Sequence, residues 1–263
     1  MTEYGKKRKL EQEITRIDKR DRFLRSDRSE DIAVLEEVFD KTTLLLVYRL
    51  LNKGIIDDID GVINSGKESR IYRGINAEKH DIAIKIYLTT SKEFRRGMLT
   101  YIEGDPRFQV VRRDSRSLIY LWAQKEYKNL QRAFAADIRV PQPLYVEKNL
   151  LVMEFIGDKL AAAPTLKENP PSKPQEMYDT ILQYIHRFYH VAKLVHGDLS
   201  EYNIMNFNEQ PVIFDLSQAV AITHPRANEF LERDIVNINR FFNKADIEVK
   251  HHQEILSWIV DDV

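Results

Sequence analysis

Cysteine is absent from this chain of 263 residues. Its absence excludes disulfide bonds, thiolate nucleophiles and zinc sites with cysteine ligands, and it is typical of proteins in a reducing compartment. Long apolar runs are also lacking, because residues 44–48 and even the longest run, residues 118–123, are far too short to cross a bilayer. The charged N-terminus has no apolar stretch of the kind found in secretory signals. We therefore expect a cytoplasmic protein that does not bind membranes.

Neither sign of charge is in excess, since 40 basic and 41 acidic residues leave a formal net charge of −1. A general attraction to nucleic acid is therefore not expected. Any contact with RNA would depend on a local basic patch, such as the run of four basic residues at 6–9. Hydrophobic residues make up 43% of the chain, which is enough for a buried core.

The apolar pattern changes its period along the chain and predicts an α+β, two-lobed fold. Residues 1–30 are dense in charge and predict a solvated helix or tail. Residues 31–156 combine a first helix with several alternating segments and predict a small β-rich N-lobe. Residues 157–263 predict a mainly helical C-lobe, and ligands commonly bind in the cleft between two such lobes.

Shorter elements follow from the same periods. Residues 89–117 show no sustained period, carry many charges and predict a long mobile insertion in the N-lobe. The predicted strands are 59–63, 69–74, 81–87, 144–146, 150–155 and 212–216, and the predicted helices include 31–52, 118–136 and 175–195.

A loop and a strand in the C-lobe carry the strongest chemical signal. His196 begins an H-x-D-x-x-x-x-N pattern that ends at Asn203, and Asp215 closes a short apolar strand; this arrangement is typical of a kinase catalytic loop. Phosphoryl transfer needs a carboxylate near the attacking hydroxyl, for which Asp198 is the candidate. It also needs hard oxygen ligands for Mg²⁺, which Asn203 and Asp215 supply. An ordinary polar turn would explain one of these residues but not three at the right spacing.

A lysine and a glutamate in the predicted N-lobe extend this signal. Lys85 shares one face of an alternating strand with Ala83 and Tyr87 and is a candidate for contact with nucleotide phosphates. Alone, it would be an ordinary exposed lysine. Glu126 falls on the apolar stripe of a helix with Trp122, where an unpaired carboxylate would be costly. We therefore expect a buried ion pair between Lys85 and Glu126.

Residues 61–69 come close to the P-loop pattern of nucleotide-binding proteins, but Glu68 stands where serine or threonine is required. A P-loop also opens a helix, whereas the following residues alternate like a strand, so we reject the P-loop. We expect instead a strand–turn–strand lid in which Ser65, Gly66, Lys67 and Glu68 lie over the phosphates.

Two further groups are less specific. Met153, Glu154 and Ile156 come just before the predicted connector and are candidates for an adenine-binding hinge, although an edge strand would have the same sequence. His186 and His190 are four residues apart on a predicted helix. Because no third ligand is evident, an ordinary pair of helix histidines is favoured over a zinc site.

Together these motifs resemble the RIO family of atypical serine/threonine kinases, and within it the type 1 subfamily in its short archaeal form. The resemblance spans residues 31–245 and rests on residues 65–69, 151–157, 194–203 and 224–234. No stretch matches the N-terminal winged helix of the type 2 subfamily, which favours type 1.

The resemblance implies an ATP-dependent enzyme that uses Mg²⁺, with Mn²⁺ as an alternative metal. Lys85 is then the phosphate ligand, Glu126 its partner, Asp198 the catalytic aspartate, and Asn203 and Asp215 the metal ligands. Autophosphorylation on serine is also implied, and the candidate acceptors are Ser91, Ser115 and Ser117. The resemblance further implies ATP hydrolysis with transient phosphorylation of Asp215. Maturation of the small ribosomal subunit would make a pre-ribosomal particle and its rRNA the partners.

Two features depart from ordinary protein kinases. Leu216 and Ser217 follow Asp215 in place of Phe-Gly, and no A-P-E motif follows, which leaves little room for an activation segment or a peptide-binding subdomain. Two alternatives stay open: a small-molecule phosphotransferase of the aminoglycoside or choline kinase type, which shares the H-G-D-x-x-x-x-N loop, and a non-catalytic ribosome-assembly factor gated by ATP. The sequence does not indicate the oligomeric state.

Overall fold

The computed structural model describes residues 39–88, 92–108, 114–159 and 161–261. The predicted tail at residues 1–30 lies outside these ranges, as do residues 31–38 of the predicted first helix. The helices are α1 (Lys41–Asn52), α2 (Lys92–Ile102), α3 (Ser115–Ala135), α4 (Pro174–His190), α5 (Ala227–Phe242) and α6 (His252–Asp261). The strands are β1 (Asp58–Ser65), β2 (Ser69–Ile75), β3 (Asp81–Tyr87), β4 (Pro143–Glu147), β5 (Leu150–Glu154), β6 (Leu194–Val195), β7 (Ile204–Phe207), β8 (Gln210–Ile213) and β9 (Val220–Ala221).

The N-lobe is built on an antiparallel five-stranded sheet in the order β1-β2-β3-β5-β4. The five strands predicted for this lobe are present, with bounds shifted by one or two residues. Strand β3 lies at the centre, and every residue of it after Asp81 is buried. Lys85 is paired in register with Ile71 of β2 and Leu151 of β5, so its backbone is held from both sides.

Helix α1 covers one face of this sheet. It begins after Asp40, whose carboxylate accepts a hydrogen bond of 2.8 Å from the backbone N–H of Thr43, as in a typical N-cap. Leu46 and Leu50 of α1 pack in one apolar cluster with the β3 residues Ile82, Ile84 and Ile86. Because strand side chains alternate, Ala83, Lys85 and Tyr87 point to the opposite face.

The prediction of a long loop at residues 89–117 is wrong for most of the residues that the structure describes in this range. Residues Lys92–Ile102 form α2, and α3 already begins at Ser115 rather than at residue 118. Met98 and Ile102, four residues apart on α2, pack in one cluster with Trp122 of α3. Gly97 and the many charges hide the short apolar period of this segment. The helix is evident only from the packing of its apolar residues on α3.

The C-lobe differs from the prediction at three places. Helix α4 ends at His190 instead of continuing to residue 195, and Lys193 takes a positive φ of 54°. Leu194 and Val195 then form β6, which pairs with β9; the apolar run was read as helix because a short buried strand has no distinguishing period. Strand β8 ends at Ile213 instead of at residue 216, and the hairpin partner β7 was not predicted.

One of the apolar clusters joins the two lobes. Ala83, Leu151 and Met153 of the sheet belong to the same buried cluster as Leu182 of α4 and Ile235 of α5. Residues 216–226 connect Asp215 directly with α5, so the described chain has only a short segment where an ordinary kinase carries its activation segment. None of the helices in the ranges given above is long and apolar enough to cross a membrane.

The packing of α2 leads to a first prediction. Ile102→Ala should lower the free energy of unfolding by about 2–5 kcal/mol, because a fully buried side chain is removed. Gly97→Ala should raise it by about 0.5–1 kcal/mol, because Gly97 is exposed in the same helix and a Cβ there meets nothing within 4 Å. Denaturant titration of both variants measures these opposite effects. If neither variant changed the free energy of unfolding appreciably, the result would contradict the packing of α2 on α3.

Candidate functional site

Strand β3, helix α3 and the segment after β8 bring a lysine and two carboxylates together in the cleft. The Nζ atom of Lys85 lies 2.8 Å from Oε1 of Glu126 and 2.9 Å from Oδ1 of Asp215. Lys85 is 3% exposed and Glu126 is fully buried, so the ion pair predicted from the sequence is present and buried. Asp215 is a second partner of Lys85, in addition to its predicted role as a metal ligand.

Tyr87 completes the surroundings of Glu126. Its hydroxyl donates a hydrogen bond to Oε2 of Glu126, so both carboxylate oxygens are bonded. A buried carboxylate is tolerated when it is paired and fully hydrogen-bonded. Burial would lower the pKa of Lys85, but Asp215 and Glu126 outweigh burial and raise it above its ordinary value. Lys85 is therefore a permanent cation in the cleft.

Asp215 follows β8 in an unusual backbone conformation. Its φ is +57°, a left-handed value that aspartate adopts more readily than most residues. The hydroxyl of Ser217 donates to Oδ1 of Asp215 at 2.8 Å. Burial would raise the pKa of Asp215, but the charge of Lys85 and the hydrogen bonds from Lys85 and Ser217 outweigh burial and lower it to about 2. The carboxylate is therefore ionised at neutral pH.

The second carboxylate of the C-lobe belongs to the catalytic-type loop. Asn203 Nδ2 donates to the backbone oxygen of Asp198 at 2.7 Å and lies 3.3 Å from its Oδ2. Gln218 Nε2 donates to the same Oδ2 at 3.1 Å. Burial, followed by the charge of Asp215, raises the pKa of Asp198 above that of an ordinary aspartate. A raised pKa makes its carboxylate a better proton acceptor.

Helix α5 supports this loop through Asp234, a residue to which the sequence analysis assigned no role. The carboxylate of Asp234 accepts hydrogen bonds from the backbone N–H groups of Gly197, at 2.7 Å, and Leu199, at 2.8 Å. Arg233 donates to the backbone oxygen of Gly197. Asp198 lies between these two anchored residues, so its position is fixed by α5. Burial raises the pKa of Asp234 to about 7.

A signal for Asp234 was available in the sequence. It falls on the apolar stripe of α5 with Phe230, Leu231 and Ile238, as Glu126 falls on the stripe of α3. The same reasoning that assigned a partner to Glu126 therefore applies to Asp234. Its partners are backbone N–H groups, which no side-chain pattern identifies.

His196 holds the strand that leads to Asp215. Its Nε2 lies 3.2 Å from the backbone oxygen of Phe214. Burial lowers the pKa of His196 to about 4, so the ring is neutral at pH 7, and Nε2 carries the proton that it donates to this oxygen. The histidine of the motif therefore orients the backbone next to Asp215.

The predicted lid is an exposed turn between β1 and β2. Ser65, Gly66, Lys67 and Glu68 are all exposed, and a hydrogen bond of 3.0 Å from Gly66 N to Ser69 O closes the turn. The backbone oxygen of Glu68 accepts from Leu88 N at 2.9 Å, which ties the turn to the end of β3. Partial desolvation of its carboxyl group, followed by the charge of Asp215, raises the pKa of Glu68. The lid therefore lies within electrostatic reach of Asp215.

The predicted hinge lies at the end of β5. Met153 and Ile156 are buried. The carboxylate of Glu154 makes two hydrogen bonds of 2.7 Å with the guanidinium of Arg139. The backbone oxygen of Arg139 accepts from Ile213 N at 2.9 Å. The Glu154 side chain thus links the hinge to β8, and its backbone N–H donates to the backbone oxygen of Gln142 at 2.8 Å.

The predicted histidine pair lies far along α4 and contacts α6. The rings of His186 and His190 are 4.3 Å apart, and His186 stacks on Trp258. His190 Nε2 lies 2.6 Å from the backbone oxygen of Ile259. These contacts give both histidines a structural role in the C-lobe.

The candidate phosphorylation sites lie near α3. Ser91 is outside the described residues. Ser115 and Ser117 lie in the first turn of α3, where Asp114 Oδ1 accepts from Ser117 N at 3.0 Å. The assignment of an acceptor serine stays a prediction.

The ligands offered by the loop suit Mg²⁺. The side chain of Asp215 is ionised and 41% exposed, and Asn203 uses its Nδ2 for Asp198, which leaves Oδ1 as its metal-binding atom. Within the described part of the chain, no group of three or more His, Cys, Asp or Glu side chains could hold a metal ion. Two protein ligands completed by phosphate oxygens are the usual arrangement for Mg²⁺ in a nucleotide site. The residues present therefore fit this metal.

Comparison with known proteins finds relatives along most of the chain. The sequence model of the RIO domain matches residues 70–255. The RIO-type serine/threonine-protein kinase Rio1 of Haloferax volcanii is 40% identical over 216 residues, which cover 82% of this chain and 74% of that protein. The serine/threonine-protein kinase RIO1 of Homo sapiens is 37% identical over 235 residues, covering 88% of this chain and 41% of the human protein. The chain thus spans less than half the length of this human relative.

Solved structures show the same fold. The Rio2 kinase of Chaetomium thermophilum, in its ADP/Mg²⁺-phosphoaspartate complex, has a TM-score of 0.61 at 19% sequence identity. The match covers 84% of this chain and 70% of the Rio2 chain. The predicted α+β fold with a kinase-like arrangement of two lobes is therefore confirmed.

The buried pair leads to a second prediction. Glu126→Gln should lower the free energy of unfolding by about 3–5 kcal/mol, because it leaves a buried ammonium with one carboxylate fewer. Glu147→Gln is the matched control, since its ion pair with Arg49 is partly exposed, and it should change stability by less than about 1 kcal/mol. Denaturant titration compares the two variants. Equal effects would contradict a buried pair at Lys85.

Proposed function

Since this chain belongs to the RIO family of atypical serine/threonine-protein kinases, in its type 1 branch, we propose that it transfers the γ-phosphate of ATP to a serine hydroxyl, including serines of its own. The observation that carries this proposal is the position of Lys85 Nζ, 2.8 Å from Glu126 and 2.9 Å from Asp215. It supplies a fixed positive charge beside an ionised carboxylate, in a cleft between two lobes. Charge stabilisation and positioning are the main contributions a protein makes to phosphoryl transfer.

The transfer step uses Asp198 as the proton acceptor. The oxygen of the acceptor hydroxyl forms a bond to the γ-phosphorus, and the bond from that phosphorus to the β–γ bridging oxygen breaks. ADP leaves, and the hydroxyl proton passes to Asp198. The raised pKa of Asp198 suits this role, and the hydrogen bonds from Asn203 and Gln218 orient its carboxylate.

The remaining residues bind and orient the nucleotide. Lys85 contacts the phosphates while Glu126 and Tyr87 hold it in place. Ser65, Gly66, Lys67 and Glu68 form the lid above the phosphates, and the backbone of Met153, Glu154 and Ile156 contacts the adenine. Asn203 and Asp215 would hold Mg²⁺, which neutralises charge on the phosphate oxygens.

ATP hydrolysis is the second activity that we propose for the same site. The Rio2 kinase of Chaetomium thermophilum has been solved with ADP, Mg²⁺ and a phosphoaspartate. In this chain Asp215 is the corresponding candidate, because it is ionised and lies at the end of the cleft. Its carboxylate oxygen would bond to the γ-phosphorus as ADP leaves, and water would then release the phosphate. This activity favours the reading of the protein as an ATP-gated factor with slow turnover.

The alternative of a small-molecule kinase has less support. The named relatives are protein kinases. A screen of amino sugars and amino alcohols as acceptors remains the direct test of this alternative.

The proposed transfer leads to a third prediction. Asp198→Asn should lower acid-stable labelling of the protein from γ-labelled ATP by about 10²–10⁴-fold, because the acceptor of the serine proton is lost. Asp179→Asn, an exposed position on α4, is the matched control and should retain full activity. Acid-stable label would indicate phosphoserine, and acid-labile label would indicate phosphoaspartate. Acid-stable labelling that is the same in both variants would contradict the assignment of Asp198.

We also propose that this ATP cycle acts in the maturation of the small ribosomal subunit in the cytoplasm, as the resemblance to type 1 RIO kinases implies. Wild-type protein should then co-sediment with small-subunit precursors more strongly with ATP than with ADP. Asp198→Asn, which retains the nucleotide ligands, should stay bound in ATP for longer than the wild type. Sedimentation that does not depend on the nucleotide would contradict this role.

A further inference from the structure

The segment that follows Asp215 turns three of its backbone oxygens towards α3. Leu216 and Ala219 are fully buried and Ser217 is nearly so. Buried carbonyl groups need hydrogen-bond donors, and here the donors are side chains rather than a neighbouring strand. The four residues 216–219 are therefore held in place from α3.

Two side chains of α3 supply these donors. Lys125 Nζ lies 2.8 Å from the backbone oxygen of Ser217 and 2.5 Å from that of Ala219. Asn129 Nδ2 lies 2.8 Å from the oxygen of Leu216 and 2.9 Å from that of Ala219. Lys125 and Asn129 are four residues apart and so lie on the same face of the helix. Both are fully buried.

The orientation of Asn129 is itself fixed. Arg107 donates to Asn129 Oδ1 at 2.6 Å, which directs Nδ2 to the carbonyl groups. Asp105 holds the same guanidinium through several hydrogen bonds of 2.6 to 3.2 Å. Residues after α2 thus support the contact between α3 and the segment 216–219.

Burying the amine of Lys125 is energetically unfavourable, because burial disfavours its charged form. Burial, followed by the charge of Arg107, lowers the pKa of Lys125 well below its ordinary value. An apolar residue of similar volume would fill the same space but would leave the backbone oxygens of Ser217 and Ala219 without this donor. The presence of Lys125 and Asn129 therefore indicates a role that depends on their hydrogen bonds.

That role concerns Asp215. Ser217, whose backbone oxygen binds Lys125, also donates its hydroxyl to Asp215 Oδ1. Glu126, the residue after Lys125, holds Lys85, which binds the same Oδ1. Helix α3 thus reaches Asp215 by two routes, one through a side chain of β3 and one through the backbone of residues 216–219.

We propose that Lys125 and Asn129 are positioning residues that orient Asp215 for metal binding, in a chain where the segment after Asp215 is too short to support it alone. This inference rests on the proposed function, in which Asp215 is a metal ligand. Residues that orient a metal ligand without touching the metal typically change metal affinity about 10–100-fold when mutated.

The test measures metal binding without turnover. Lys125→Met should weaken binding of Mn²⁺ to the ADP complex by about tenfold or more, as followed by the electron paramagnetic resonance signal of free Mn²⁺. Affinity for ADP in the presence of a chelator should stay within about twofold of the wild type, because the contact acts only on the metal ligand. Lys128→Met is the matched control: Lys128 is exposed on the same helix, and both affinities should be unchanged.

A purely structural role has a different outcome. If Lys125→Met lowers the melting temperature while its folded fraction binds Mn²⁺ as the wild type does, the proposal is overturned. If Lys125→Met does not fold, Asn129→Ala takes its place in the same assay, with Lys125→Arg as the variant expected to retain metal affinity. A wild type that binds Mn²⁺ with ADP but transfers no phosphate would contradict the proposed function and not this inference. A wild type that does not bind Mn²⁺ with ADP would contradict both.

Discussion

The structure depends on one buried ammonium group, that of Lys85, which links the two lobes through its ion pairs. Lys85 stands on the central strand of the N-lobe and binds one carboxylate from α3 and one from the C-lobe. Removing a lysine and a glutamate from water costs several kcal/mol for each ion, so the pair persists only where strand, helix and loop are held in register. Three features keep these groups in place: the pairing of β3 with β2 and β5, the apolar stripe of α3, and the backbone conformation of Asp215.

The catalytic-type loop is also held by buried polar side chains, but these bond to backbone groups instead of to opposite charges. Asp234 and His196 are buried and make hydrogen bonds to main-chain atoms beside Asp198 and Asp215. Asp234 has a backbone partner on each carboxylate oxygen, and His196 is bonded through Nε2. They therefore fix the two aspartates of the proposed chemistry to α5 and to the core of the C-lobe, and the carboxylates themselves remain reachable from the cleft.

Sequence patterns predicted the parts of this site that depend on local periodicity. The alternation in β3 and the stripe on α3 were sufficient to pair Lys85 with Glu126, although 41 residues separate them. The same methods missed α2, whose short apolar face is defined by its contact with Trp122, and extended α4 past His190, because β6 is recognisable only beside β9. Asp234 and Lys125 make their hydrogen bonds to backbone atoms, so no complementary side chain in the sequence indicates their partners.

Helix α3 is an interior element of both lobes, since it packs on the N-lobe sheet, on α2 and, through Lys125 and Asn129, on the backbone after Asp215. A helix shared in this way cannot detach from one lobe while the other stays intact. The two lobes should therefore melt in one cooperative transition. Amide protons of α3 should exchange with solvent only at the rate of global unfolding, whereas those of the exposed lid exchange through local opening.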